Sequence, residues 1–141
     1  MTRQVYRTSS EAETIALGEQ LARELPARRV VLLIGNLGAG KTTLAKGIVQ
    51  GRGAASRDEV SSPTFTLIHE FGDGSVYHID LYRLDELHEV ETLGLDELFD
   101  REALVLIEWG ERFPQLLPAD RTEIRITPVD DDGRRIEVTS T

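Results

Sequence analysis

Arg29-Val30-Val31-Leu32-Leu33-Ile34 runs straight into Gly35-Asn36-Leu37-Gly38-Ala39-Gly40-Lys41-Thr42, and that junction decides the fold. After Arg29 the first stretch is wholly apolar and rich in β-branched residues, the composition of a strand buried on both faces. The second matches G-x-x-x-x-G-K-[ST] at every fixed position. With glycine at roughly 7% of residues, a chance match in a chain of this length arises about once in a few hundred sequences. Glycines let the backbone wrap round an anion with successive N–H groups turned inward. A helix starting at Lys41 presents free amides and its positive dipole end to the same anion. Lys41 is expected to reach the β- and γ-phosphates of a nucleoside triphosphate, and the Thr42 hydroxyl to hold Mg2+.

Working outward, residues 41–50 read as a helix with Leu44 and Ile48 one turn apart and Gly51 as its stop. Upstream, residues 3–7 alternate around Val5 as a short strand. Ser10 with Glu13 then forms a capping box, followed by Ile15, Leu21, Ala22 and Leu25 at helical spacing up to Pro26. Gly18 falls on that stripe, where a missing side chain permits close packing. Downstream, residues 53–63 are small and polar, a loop. Residues 64–71 and 75–81 alternate as two strands joined at Gly72-Asp73-Gly74. Leu84, Leu87, Val90 and Leu93 predict one helix, residues 103–107 a second buried strand, and residues 121–127 and 135–139 a hairpin around Asp130-Asp131-Asp132-Gly133. Buried strands with intervening helices imply an α/β domain, a P-loop NTPase-like three-layer arrangement with a mixed, mostly parallel sheet. No repeat or linker divides the chain, so residues 1–141 are expected to form one domain.

A P-loop needs a carboxylate for Mg2+, usually at the end of an apolar strand. Glu108 follows Ala103-Leu104-Val105-Leu106-Ile107, and Asp80 follows Val76-Tyr77-His78-Ile79. Either fits, and which one meets the metal and which orients the attacking water stays open. Ser61-Ser62-Pro63-Thr64-Phe65-Thr66 reads equally as a polar loop and as a switch segment whose Thr64 hydroxyl meets the γ-phosphate side. Trp109, the sole tryptophan, has core packing as its plain role. His69, His78 and His88 show no ligand spacing and read as structural or solvated.

Bulk properties exclude several classes. The 141 residues carry a net charge of −9, which opposes autonomous binding to a phosphate backbone. The absence of cysteine removes disulfides and thiolate metal sites. The N-terminus lacks the apolar run of a signal peptide, and residues 30–34 are too short to span a bilayer, so a cytoplasmic protein without membrane contact is expected. Asn36 is the only asparagine, which makes the guanine-reading N-K-x-D motif impossible.

Together the P-loop through Thr43, Ser62-Pro63-Thr64-Phe65-Thr66-Leu67, His78-Ile79-Asp80-Leu81-Tyr82-Arg83, Leu93-Gly94 and Ile107-Glu108-Trp109 occur in an order and at spacings that closely resemble the TsaE family. These are bacterial ATPases that assist synthesis of the threonylcarbamoyladenosine modification of tRNA. The resemblance implies an ATP- and Mg2+-dependent helper that meets tRNA only indirectly, through two larger partners, TsaD and TsaB. It implies that Gly35, Leu37, Gly38, Ala39, Gly40, Lys41, Thr42 and Thr43 bind the phosphates and metal, and that Thr64 belongs to a switch. Asp80 and Glu108 would serve metal and water, Trp109 would lie beside the nucleotide, and Ser10 and Arg134 would border the adenosine. A small-molecule kinase and a nucleotide-sensing binding module are the competing expectations.

Overall fold

The computed structural model describes residues 2–36, 38–55, 60 and 67–141. Among these, seven strands form one sheet: β1 (Thr2–Thr8), β2 (Arg29–Ile34), β3 (Ile68–Phe71), β4 (Val76–Asp80), β5 (Leu104–Glu108), β6 (Thr122–Pro128) and β7 (Arg134–Ser140). Their spatial order is β1-β7-β6-β2-β5-β4-β3. The helices are α1 (Glu11–Glu24), α2 (Lys41–Gly51), α3 (Leu87–Glu91) and α4 (Leu95–Phe99).

Strand β2 is the axis, parallel to β5 on one side and β6 on the other, with β4 parallel to β5. The flanking pairs β1–β7, β6–β7 and β3–β4 are antiparallel. Parallel pairing is thus confined to the four central strands, because the terminal hairpins close through short turns that need no crossover helix. Alternation along β2 sends Val31 and Leu33 to one face, with Leu44, Ile48, Leu17 and Leu21 of α1 and α2. Val30, Leu32 and Ile34 go to the other face, with Val90, Leu95, Leu98 and Phe113. These two apolar clusters make the expected three layers.

Ser10 caps α1, its hydroxyl accepting from the Glu13 amide at 3.1 Å. The return half of the box is displaced by one residue, since the Glu13 carboxylate accepts from the Ser9 amide at 2.9 Å. The helix expected from Leu84 to Leu93 is only α3, since Leu84 stays in a turn closed by its amide on the Leu81 carbonyl, and a second short helix, α4, which was not expected, starts after Gly94 at φ +71. Gly51 belongs to α2 rather than ending it; the left-handed residue is Gly53, at φ +69.

Helices α1 and α2 touch backbone to backbone. A methyl on Gly18 would lie 2.6 Å from the Leu44 carbonyl oxygen, and one on Gly47 would overlap the Ile15 carbonyl oxygen. Alanine is the better helix former by about 1 kcal/mol, so local propensity alone would make Gly47→Ala stabilising. The overlap with a backbone atom reverses the sign, and the variant is expected to lose about 1–3 kcal/mol. A urea midpoint lowered with an unchanged slope is the expected observation; an equal or higher midpoint would refute the close-packing account.

Candidate functional site

Strands β2, β4 and β5 finish at the same edge of the sheet, and ligands of open α/β sheets bind beyond such carboxyl ends. The register sets Asp80 opposite Glu108, and Glu108 opposite Leu33. A cavity of about 390 Å3 opens there, lined by Gly38, Gly40, Lys41, Thr42, Thr43, Asp80, Tyr82, Glu108, Trp109 and Arg134. All these residues except Tyr82 were candidates from the sequence. A larger hollow of about 530 Å3 lies at the opposite end of β2 and β5, where its arginines are already engaged, Arg28 with Asp100 and Arg29 with Asp120.

The start of α2 is built to receive an anion. Its cap, Gly40, sits at φ +109 and supplies no side-chain acceptor, and the first turn contains no carboxylate. The first amides of a helix have no intrahelical partner, so those of α2 are left for a ligand. At Gly38, φ +78, a Cβ would meet nothing within 4 Å, leaving the loop's outer wall open. Ala39 donates to the Asn36 carbonyl at 3.0 Å, which closes the turn of the loop. Gly35 is pressed against the Ile126 carbonyl oxygen, 2.8 Å from where its Cβ would stand. Leu37 and Thr64 lie outside the described residues.

Lys41 is buried at 4% exposure, with Nζ donating to the Gly35 carbonyl at 2.7 Å and lying 3.7 Å from the centroid of the Trp109 ring. Burial lowers its pKa, and the negative charges of Glu108, Glu111 and Asp80 oppose that shift. Trp109 is not simply a core residue. It adopts a left-handed backbone at φ +66, uncommon for a bulky side chain. Its ring leans on Tyr82, centroid to centroid 5.2 Å, and covers the lysine.

The two carboxylates are equally enclosed, Asp80 at 5% and Glu108 at 3% exposure. Asp80 Oδ1 accepts from the Tyr82 amide at 2.9 Å. Burial raises the Asp80 pKa, and the like charge of Glu108 adds to the rise, while the Tyr82 amide, His78 and Lys41 work against it. Glu108 Oε2 lies 2.5 Å from His78 Nε2 in the core. From the sequence His78 reads as structural or solvated, not as a partner of the site. The available signal was strand periodicity, which sets residues two apart on one face and so puts His78 beside Asp80.

A divalent cation fits the donor set. Thr42, Asp80 and Glu108 offer oxygen only, the preference of Mg2+, which binds through one or two carboxylates plus substrate phosphates. Among the described residues no group of three or more His, Cys, Asp or Glu side chains could hold a metal by itself.

Beside the main cavity, a pocket of about 110 Å3 is lined by Glu11, Thr14, Gly40, Thr43, Asp132 and Arg134. Arg134 Nε donates to the Ala39 carbonyl at 2.8 Å, and Nη1 donates to the Gly133 carbonyl at 2.8 Å. This guanidinium ties the β6–β7 turn to the P-loop. Ser10 adjoins the pocket through its helix, but its hydroxyl is used as the α1 cap, and Glu11 and Thr14 form the wall instead.

Residues 8–136 match the family model described as threonylcarbamoyl adenosine biosynthesis protein TsaE. The tRNA threonylcarbamoyladenosine biosynthesis protein TsaE of Bacillus subtilis (strain 168) is 41% identical over 137 residues, 96% of this chain and 84% of that protein. That of Nostoc sp. is 40% identical over 137 residues, 93% and 82% of the two chains. The crystal structure of Bacillus subtilis YdiB superposes with a TM-score of 0.79 at 35% identity, covering 99% of this chain and 86% of that one.

Proposed function

The chain belongs to the TsaE family, and from that premise we propose that it binds Mg-ATP and hydrolyses it slowly as an accessory protein of tRNA threonylcarbamoyladenosine synthesis. The observation that carries this reading is the convergence of Lys41, Thr42, Asp80, Glu108 and Trp109 on one cavity beside an uncapped helix start.

The triphosphate enters with its anionic oxygens toward the amides of residues 38–43. Lys41 turns its ammonium from the Gly35 carbonyl to the β- and γ-phosphates, a short exchange of one acceptor for another. Thr42 and a carboxylate would hold Mg2+, which supplies neutralisation of charge between the phosphates. The other carboxylate orients the attacking water, and Trp109 and Tyr82 shield the reacting end from bulk solvent. Thr64 serves as a switch residue. Arg134, together with the start of α1 around Ser10, borders the adenosine. TsaD and TsaB are the partners implied by the family resemblance, with tRNA met only through them. The acidic surface supports that indirect contact. Among the described residues no helix is long and apolar enough to cross a membrane, and the cytoplasm is the proposed setting.

Reconstitution tests this directly. With TsaD- and TsaB-type partners, threonylcarbamoyl transfer to tRNA is expected to slow after the first cycles when this chain or ATP is left out. Undiminished multiple turnover without the chain would sink the accessory role. Stoichiometric appearance of a phosphorylated small molecule would favour the kinase instead. Binding itself is readable from Trp109, the sole indole, whose emission should shift when Mg-ATP draws Lys41 away from its ring.

A further inference from the structure

His78 is a buried polar side chain in the sheet core, where the fold itself calls for an apolar one. It sits on β4 between Tyr77 and Ile79, fully buried at 0% exposure. Its strand neighbours Val76 and Ile79 are aliphatic, and burying an imidazole in their place costs desolvation unless a hydrogen bond offsets it. That bond is the 2.5 Å contact of Nε2 with Glu108 Oε2. Among the described residues His78 is the only hydrogen-bonding side chain that meets Glu108. The other ring nitrogen, Nδ1, is buried without a partner among the described residues. A bare ring nitrogen tolerates that better than an N–H, so the hydrogen bonding assigns the proton to Nε2, with Glu108 as acceptor.

Glu108 has a competing partner. Lys41 lines the same cavity and attracts it electrostatically. A carboxylate free to rotate would turn toward that ammonium and occupy the space that cation and water require. The His78 bond holds one oxygen back toward the β4 core and leaves the other for the cavity.

We propose that His78 is the positioning residue of the site: it holds Glu108 off Lys41 and so sets the cation-dependent part of nucleotide binding and turnover. This rests on the reading of Glu108 as a metal or water ligand. Partners that orient such ligands commonly change metal affinity or activity by about 10–100-fold when removed.

The test uses the full chain with ATP or a non-hydrolysable analogue, with Mg2+ or Mn2+ as the added cation. For His78→Leu, nucleotide affinity measured in EDTA through Trp109 emission is expected to change less than about twofold. The cation concentration for half-maximal effect rises, and kcat falls, each by about tenfold or more. His78→Gln, whose amide nitrogen can reach the place of Nε2, restores most of both. His78→Asn stays polar but is too short, and is expected to behave like leucine; it supplies the same comparison should leucine impair folding, which circular dichroism reports. Equal loss in Gln, Asn and Leu would overturn the proposal in favour of a shape requirement. So would an unchanged cation dependence in all three. Failure of the wild-type chain to show any cation-dependent binding or hydrolysis would instead remove the reading of Glu108.

Discussion

Lys41→Ala is expected to lower ATP hydrolysis at saturating nucleotide by at least about 100-fold, on the scale of losing one donor to developing transition-state charge. Nucleotide affinity should weaken as well, because a charge-assisted hydrogen bond contributes about 1.5–3 kcal/mol. The fold should survive. Lys41 is buried at a cost, its ammonium balanced by the Gly35 carbonyl and the Trp109 face, and alanine in its place removes the charge together with the need to balance it. Arginine would not substitute, since its planar fork cannot occupy the slot between a carbonyl and an indole that a compact ammonium fills. The same variant has a second signature. With no cation over its ring, Trp109 should emit differently before any nucleotide is added, and ATP should shift the emission less than in the wild type. Wild-type hydrolysis rates in Lys41→Ala would remove the P-loop from the mechanism and leave the sensing reading in its place.

The sequence disclosed what is local and concealed what needs a register. Residues 29–42 could be read directly, because an unbroken apolar run followed by spaced glycines has one physical solution: a buried strand delivering a loop to a helix start. Residues 104–108 were legible for the same reason, and so was the turn at Gly72-Asp73-Gly74, where Asp73 takes φ +55. Pairing of β1 with β7 was not legible, since nothing in residues 2–8 names a partner more than a hundred positions away. Gly47 escaped notice within a helical pattern because its meaning lies in the Ile15 carbonyl of a different helix. Residue type alone gave Trp109 a packing role and the family resemblance set it beside the nucleotide, but its place over Lys41 comes from the left-handed turn after β5. The spacing from Leu84 to Leu93 was legible only in part: it found α3, while Leu84 lies in a turn outside it and α4, starting after Gly94, was not read. For His78 the decisive fact is a diagonal contact across two strands, invisible until β4 and β5 are aligned.

Asp80 and Glu108 remain to be told apart, and the pair of variants Asp80→Asn and Glu108→Gln should do so. Each is expected to reduce hydrolysis by about 100-fold or more, with nucleotide affinity in EDTA retained or improved. Improvement is expected on electrostatic grounds: the two carboxylates face one another across β4 and β5 in the chamber proposed to admit the triphosphate. Their mutual repulsion already contributes to the raised pKa of Asp80. A divalent cation between them relieves that repulsion. Neutralising either one therefore removes part of the reason to bind the cation and part of the opposition to the phosphates. The direct ligand is the residue whose amide variant loses cation dependence of binding, measured as the Mg2+-induced gain in affinity. The water-orienting residue is the one whose variant keeps that gain and loses only kcat. We propose Glu108 as the ligand, since His78 fixes one of its oxygens from behind, as second partners of metal ligands commonly do. Asp80 is held by the Tyr82 amide two residues on, a tether that suits a group aimed at water beside the exposed Tyr82. Loss of cation dependence in Asp80→Asn with its retention in Glu108→Gln would exchange the two roles, and retention of normal hydrolysis in both would take the carboxylates out of the chemistry.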